Sequence, residues 1–98
     1  MAESIELPAG PQQVPPVHPG ELLAEILEDH AKLSVGEAAV RMGVTRQALY
    51  AVLNGTVAVT PAMAAKFGKL VGADPRLYLA MQAERDLWFE DHPKADRR

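Results

Sequence analysis

Apolar residues recur at helical spacing along most of the chain. Leu22, Leu23, Ile26 and Leu27 fall at i, i+1, i+4 and i+5, the stripe of a helix that opens near Gly20 and ends near His30. Glu21 and Glu25 stand toward the end where the helix dipole favours acids. Ser34 then precedes Val35, Ala38, Ala39 and Met42, an i, i+3, i+4, i+7 series behind a good N-cap, which predicts a second, short helix. Gly43 stops it by supplying a left-handed residue, and Thr45 caps a third helix with Ala48, Leu49, Val52 and Leu53 on its inward side. Asn54-Gly55 closes that helix as a turn pair. Thr60-Pro61 opens a fourth helix that carries Met63, Phe67, Leu70 and Val71 and stops at Gly72. Asp74-Pro75 repeats the start signal for a fifth, with Leu77, Ala80, Met81, Leu87 and Trp88 spread over more than one side. Only residues 56–60 have a strand-like pattern, too short to found a sheet. An all-α domain of five helices is expected.

The flanks follow a different pattern. Residues 1–17 are rich in proline and lack apolar periodicity, which predicts a flexible, disordered arm; the domain proper is expected over 18–90 and a polar tail over 91–98. With 98 residues, 48% of them hydrophobic and 23% charged, the chain suits one small globular core and no second one. It has no cysteine, so no disulfide framework or thiolate metal cluster exists. No signal-peptide pattern opens the chain, and no apolar run approaches the roughly 20 residues of a membrane span, which points to a cytoplasmic address away from membranes.

The net charge of −3 argues at first against a nucleic-acid partner, but the charge is unevenly placed. Residues 1–30 hold Glu3, Glu6, Glu21, Glu25, Glu28 and Asp29 with no Lys or Arg, whereas residues 41–76 hold Arg41, Arg46, Lys66, Lys69 and Arg76 against Asp74 alone. Such a split fits a protein with one anion-facing surface.

The stretch from Val35 to Val52 carries the chemistry. Two helices crossing a tight turn need a small residue where they nearly touch, a glycine in the turn, and apolar side chains from the second helix pointing back. Ala39, Gly43, Val44, Leu49 and Val52 meet these needs at helix-turn-helix spacing. A recognition helix enters the major groove by its N-terminal part, so Thr45, Arg46, Gln47 and Tyr50 become the candidate readers. Arg46 suits a bidentate pair to guanine, Gln47 a pair to adenine, and Tyr50 a thymine methyl or a phosphate. The start of the second helix, at Ser34 and Val35, is expected to offer backbone N–H groups to a phosphate.

With His18-Pro19-Gly20-Glu21, Leu33-Ser34-Val35, Met42-Gly43-Val44-Thr45-Arg46-Gln47, Leu53-Asn54-Gly55, Thr60-Pro61-x-Met63-Ala64 and Asp86-Leu87-Trp88 in order, residues 17–89 resemble the HigA-type antitoxins. These are a branch of the xenobiotic-response-element class of repressors related to phage repressors and Cro. The resemblance implies a five-helix, repressor-like domain that dimerises, binds a palindromic operator in its own promoter as double-stranded DNA, and neutralises a RelE-like ribonuclease toxin. The chain departs from the family at Ala51 and Thr56, where basic residues are common, and at Tyr50, where a small polar residue is usual. Fewer cations release fewer counterions, so a shallower salt dependence and a weaker complex are expected.

Leu79, Leu87, Trp88 and Phe89 on the fifth helix exceed the stripe one small domain buries and are the candidate dimer interface. An enzyme is disfavoured: His18, His30 and His92 are scattered without metal-ligand spacing, no Gly-rich phosphate loop occurs, and nothing demands a cofactor. Two rivals remain, a stand-alone helix-turn-helix regulator and an adapter that binds only protein. For a toxin, the acidic first helix and the proline-rich arm are the candidate contact surfaces.

Overall fold

The computed structural model describes residues 14–97; the arm foreseen over residues 1–17 therefore lies mostly outside the described residues. Five helices follow one another: α1 (Pro19–Glu25, continued by a π-helical turn over Ile26–Ala31), α2 (Val35–Met42), α3 (Arg46–Leu53), α4 (Pro61–Val71) and α5 (Pro75–Asp91). Their starts are set chemically. Ser34 and Glu37 form a reciprocal capping box, with Glu37 N donating to Ser34 Oγ at 3.1 Å and Ser34 N to Glu37 Oε1 at 2.9 Å. Thr45 and Thr60 each accept a bond from the amide three residues on, and prolines open α1, α4 and α5 at the turn where their missing N–H costs nothing.

Periodic residues of the first four helices converge on one core, which Val59, Ala64 and Tyr78 join. Leu23, Leu27, Ala38, Ala39, Met42, Leu49, Val52, Leu53, Val59, Ala64, Phe67 and Tyr78 are buried together. Phe67 on α4 meets Tyr78 on α5 edge to face, with ring centroids 5.7 Å apart. At the other end α1 comes so close to the end of α3 that a methyl group at Gly20 would run into the Val52 carbonyl oxygen, which is why the chain turns into α1 through a glycine.

Two features of this frame were not foreseen. The first helix does not end as a plain α-helix near His30: its last turn widens to π-helical bonding and Lys32 takes a left-handed conformation (φ 57°), which lets Leu33 N reach back to Leu27 O at 3.1 Å and turns Leu33 against the core. Gln82, in the middle of α5 and only 6% exposed, accepts the amide of Val59 at 2.8 Å and donates to Asp86 at 3.0 Å. It ties the α3–α4 connection to α5 and pairs a buried backbone donor that would otherwise be costly.

The outer side of α5 differs from expectation at Phe89 and Leu79. Phe89 does not project outward; it is 6% exposed, met edge to face by Trp88 and covered by the Arg97 guanidinium 4.4 Å above its ring. Arg97 belongs to the segment after α5, which folds back along the helix and supplies a cation–π lid that periodicity does not show. Leu79 is half-buried against the core, Trp88 is half-buried and stacked on His92 at 3.9 Å, while Leu77 and Leu87 are exposed. No helix among the described residues is long and apolar enough to cross a membrane.

Candidate nucleic-acid interface

The α2–α3 unit is a helix-turn-helix. Gly43 ends α2 in the left-handed region (φ 73°), its amide bonds Val40 O at 3.2 Å, and the next amide, of Val44, reaches Ala39 O at 3.0 Å. This double closure turns the chain sharply and delivers Thr45 as the cap of α3, where Thr45 Oγ1 accepts from Ala48 N at 3.0 Å. Ala38, Ala39, Leu49 and Val52 are buried where the two helices meet. The face left over presents Thr45, Arg46, Gln47 and Tyr50, all four exposed.

Local geometry refines each role. The Arg46 guanidinium lies beside Gly36: a Cβ there would sit 3.4 Å from Nη2, so the absent side chain leaves Arg46 room against the first turn of α2. Tyr50 lines a cavity of about 340 Å³ together with Leu27, Leu33, Val35 and Leu53, with Glu28, Ser34 and Asn54 also on its wall. The expectation of open backbone donors at Ser34 needs correction. The Ser34 amide is taken by the Glu37 carboxylate, which is held below the usual carboxylate range by that bond and by the Ser34 hydroxyl. A phosphate arriving here meets the amides of Val35 and Gly36 at the helix start, beside an ionised Glu37.

The charge split is realised in space. Arg41, Lys66 and Lys69 line one cleft between α2 and α4, and Glu21, Glu25, Glu28 and Asp29 are exposed along the first helix and its π-helical turn. Among the described residues no group of three or more His, Asp or Glu is placed to hold a metal ion.

Behind the recognition helix sits His18, which in the sequence is marked only by its lack of metal-ligand spacing. His18 caps α1, its Nδ1 accepting Gly20 N at 2.8 Å, but it is also 5% exposed and pairs Nε2 with the Val57 carbonyl at 3.0 Å in the loop that follows α3. Both bonds are satisfied by the neutral ring with its proton on Nε2. Burial pushes the imidazole below its usual range, the Arg85 charge adding to this and the Val57 bond opposing it. Because the depressed pKa belongs to the folded state, stability from this group is full above about pH 6.5 and is lost as the pH falls through the lower folded value. Unfolding midpoints are expected to begin to drop as the pH falls below about 6.5, and His18→Asn is expected to flatten that limb. Equal acid slopes in both proteins would remove His18 as the cause.

With this geometry fixed, comparison with known proteins places the chain. No family model matches it. A protein of Nostoc punctiforme, named as an antidote protein of a plasmid maintenance system, has the same fold at a TM-score of 0.74 and 38% identity, covering 82% of this chain and 87% of its own. An addiction-module antidote protein of the HigA family from Coxiella burnetii superposes with a TM-score of 0.72 at 30% identity, covering 83% and 90%. Virulence-associated protein A′ of Dichelobacter nodosus is 40% identical over 73 residues, 74% of this chain but 63% of the relative, so the chain spans somewhat less than two thirds of that protein. At such identity over nearly the whole of both solved chains, the protein belongs to the antidote proteins of plasmid-maintenance and addiction modules.

Proposed function

We propose that this protein is a HigA-type antitoxin of the xenobiotic-response-element class, which binds a palindromic operator in its own promoter as a dimer and neutralises a RelE-like ribonuclease toxin. The observation that carries the DNA half is the helix-turn-helix that exposes Thr45, Arg46, Gln47 and Tyr50 on one face. The toxin half draws its support from the family and from the acidic face of Glu21, Glu25, Glu28 and Asp29, which complements the basic surface of a ribonuclease.

For the dimer, Leu77 and Leu87 are the exposed large apolar side chains of α5, and with half-buried Trp88 they supply the candidate contact surface. Leu79 and Phe89 then act from behind, by holding α5 to its own core. Leu87→Glu is expected to halve the molar mass in light scattering with the helical signal intact; an unchanged dimer would move the interface elsewhere.

Co-expression tests the toxin half. The small reading frame beside the gene is expressed alone and together with this protein; growth arrest that this protein relieves is the expected result. Arrest without rescue, or no arrest, would leave a stand-alone helix-turn-helix regulator.

A further inference from the structure

The turn that ends the recognition helix has a second wall. A cleft of about 390 Å³ is lined by Asn54, Gly55 and Thr56 on one side and by Asp96 and Arg97 on the other. Sequence separation hides this pairing, because Arg97 arrives only after α5 has crossed the domain and the chain has folded back at residues 92–97. Between Thr45 and Val59 the sole cation in the chain is Arg46, so the end of the recognition helix has no positive side chain of its own.

We propose that Arg97 is a DNA-backbone contact, binding a phosphate beside the turn after α3; this rests on the DNA reading above. The guanidinium is held rather than free. It lies 4.4 Å over the Phe89 ring, and Nη1 approaches Asp86 Oδ1 at 3.5 Å. That arrangement engages one edge of a fork with five donors and leaves the side chain 56% exposed. A guanidinium fixed in this way loses little freedom on meeting a planar or tetrahedral oxyanion, and the bidentate geometry favours phosphate. In helix-turn-helix docking the recognition helix lies in the major groove, so the chain leaving it passes the sugar-phosphate rim, the place where a cation without sequence preference acts. Asp86 pairs with Arg97, and Asp96 shares the wall of the same cleft. Their field keeps Arg97 from drawing anions alone and makes the phosphate contact depend on the rest of the interface.

The test is a fluorescence titration of the full chain, Arg97→Ala and Arg97→Lys with two duplexes, one from the DNA preceding its own gene and one of scrambled sequence, across a series of salt concentrations. Arg97→Ala is expected to flatten the slope of log affinity against log salt by about 0.9 and to weaken both duplexes alike, by roughly fivefold at about 0.15 M salt. Arg97→Lys keeps the charge and is expected to keep most of the slope. Identical slopes for the parent protein and Arg97→Ala would overturn the proposal, as would a variant whose only change is a lower melting temperature. If the parent protein binds neither duplex, the DNA reading itself fails and Arg97 falls with it.

Discussion

Replacing Phe67 with alanine is expected to cost the fold about 3–5 kcal/mol, the range for emptying a fully buried aromatic site. Phe67 is completely buried, and the edge-to-face contact with Tyr78 joins α4 to α5. Because α5 in turn secures the α3–α4 connection through Gln82, the loss is expected to be cooperative over the whole domain. Small domains hold a total stability of roughly 5–15 kcal/mol, so this variant sits at the edge of unfolding. Val40→Ala is the matched control, since Val40 is 80% exposed, and it should change stability by no more than about 0.5 kcal/mol. Urea unfolding followed by circular dichroism measures both. A loss for Phe67→Ala of only about 1 kcal/mol would mean that the core has relaxed around the cavity and that α4 and α5 are not coupled as described.

The second large effect falls on DNA and not on the fold. Arg46→Ala should weaken binding to the promoter duplex by about ten- to a hundredfold, equivalent to about 1–3 kcal/mol for one bidentate base contact, and should relax the preference over scrambled DNA. Its melting temperature should be nearly unchanged, because Arg46 is exposed. This pattern separates Arg46 from Arg97, whose loss is expected to weaken both duplexes equally. An Arg46→Ala protein that keeps its preference would transfer base reading to Gln47 or Tyr50.

These outcomes rest on parts of the molecule that differ in how plainly the sequence shows them. Helix starts and stops are local chemistry, and Ser34, Thr45, Thr60 and Asp74 cap where their side chains and neighbours demand it, with Gly43 and Gly72 at the opposite ends. The helix-turn-helix is legible for the same reason: its requirements fall within eighteen consecutive residues. The π-helical end of α1 is not, because a left-handed Lys32 has no compositional mark of the kind glycine gives.

Long-range pairings are equally silent. Gln82 reads as a solvated helix residue until Val59 is brought to it over 23 positions, although its place four residues after buried Tyr78 put it on the inward stripe. Phe89 reads as surplus surface until Arg97 returns to cover it. Pro16 is a further case: its carbonyl takes the Arg85 guanidinium at 2.6 Å, so the residues just before His18 are tied to α5 and not part of a free arm.

The most direct measurement of the central claim is a footprint of the protein on the DNA preceding its own gene. A dimeric helix-turn-helix protein should protect two half-sites about 34 Å apart, one turn of the double helix, related by an inverted repeat, with protection lost in Arg46→Ala. A single protected half-site, or uniform coating without a boundary, would contradict the account.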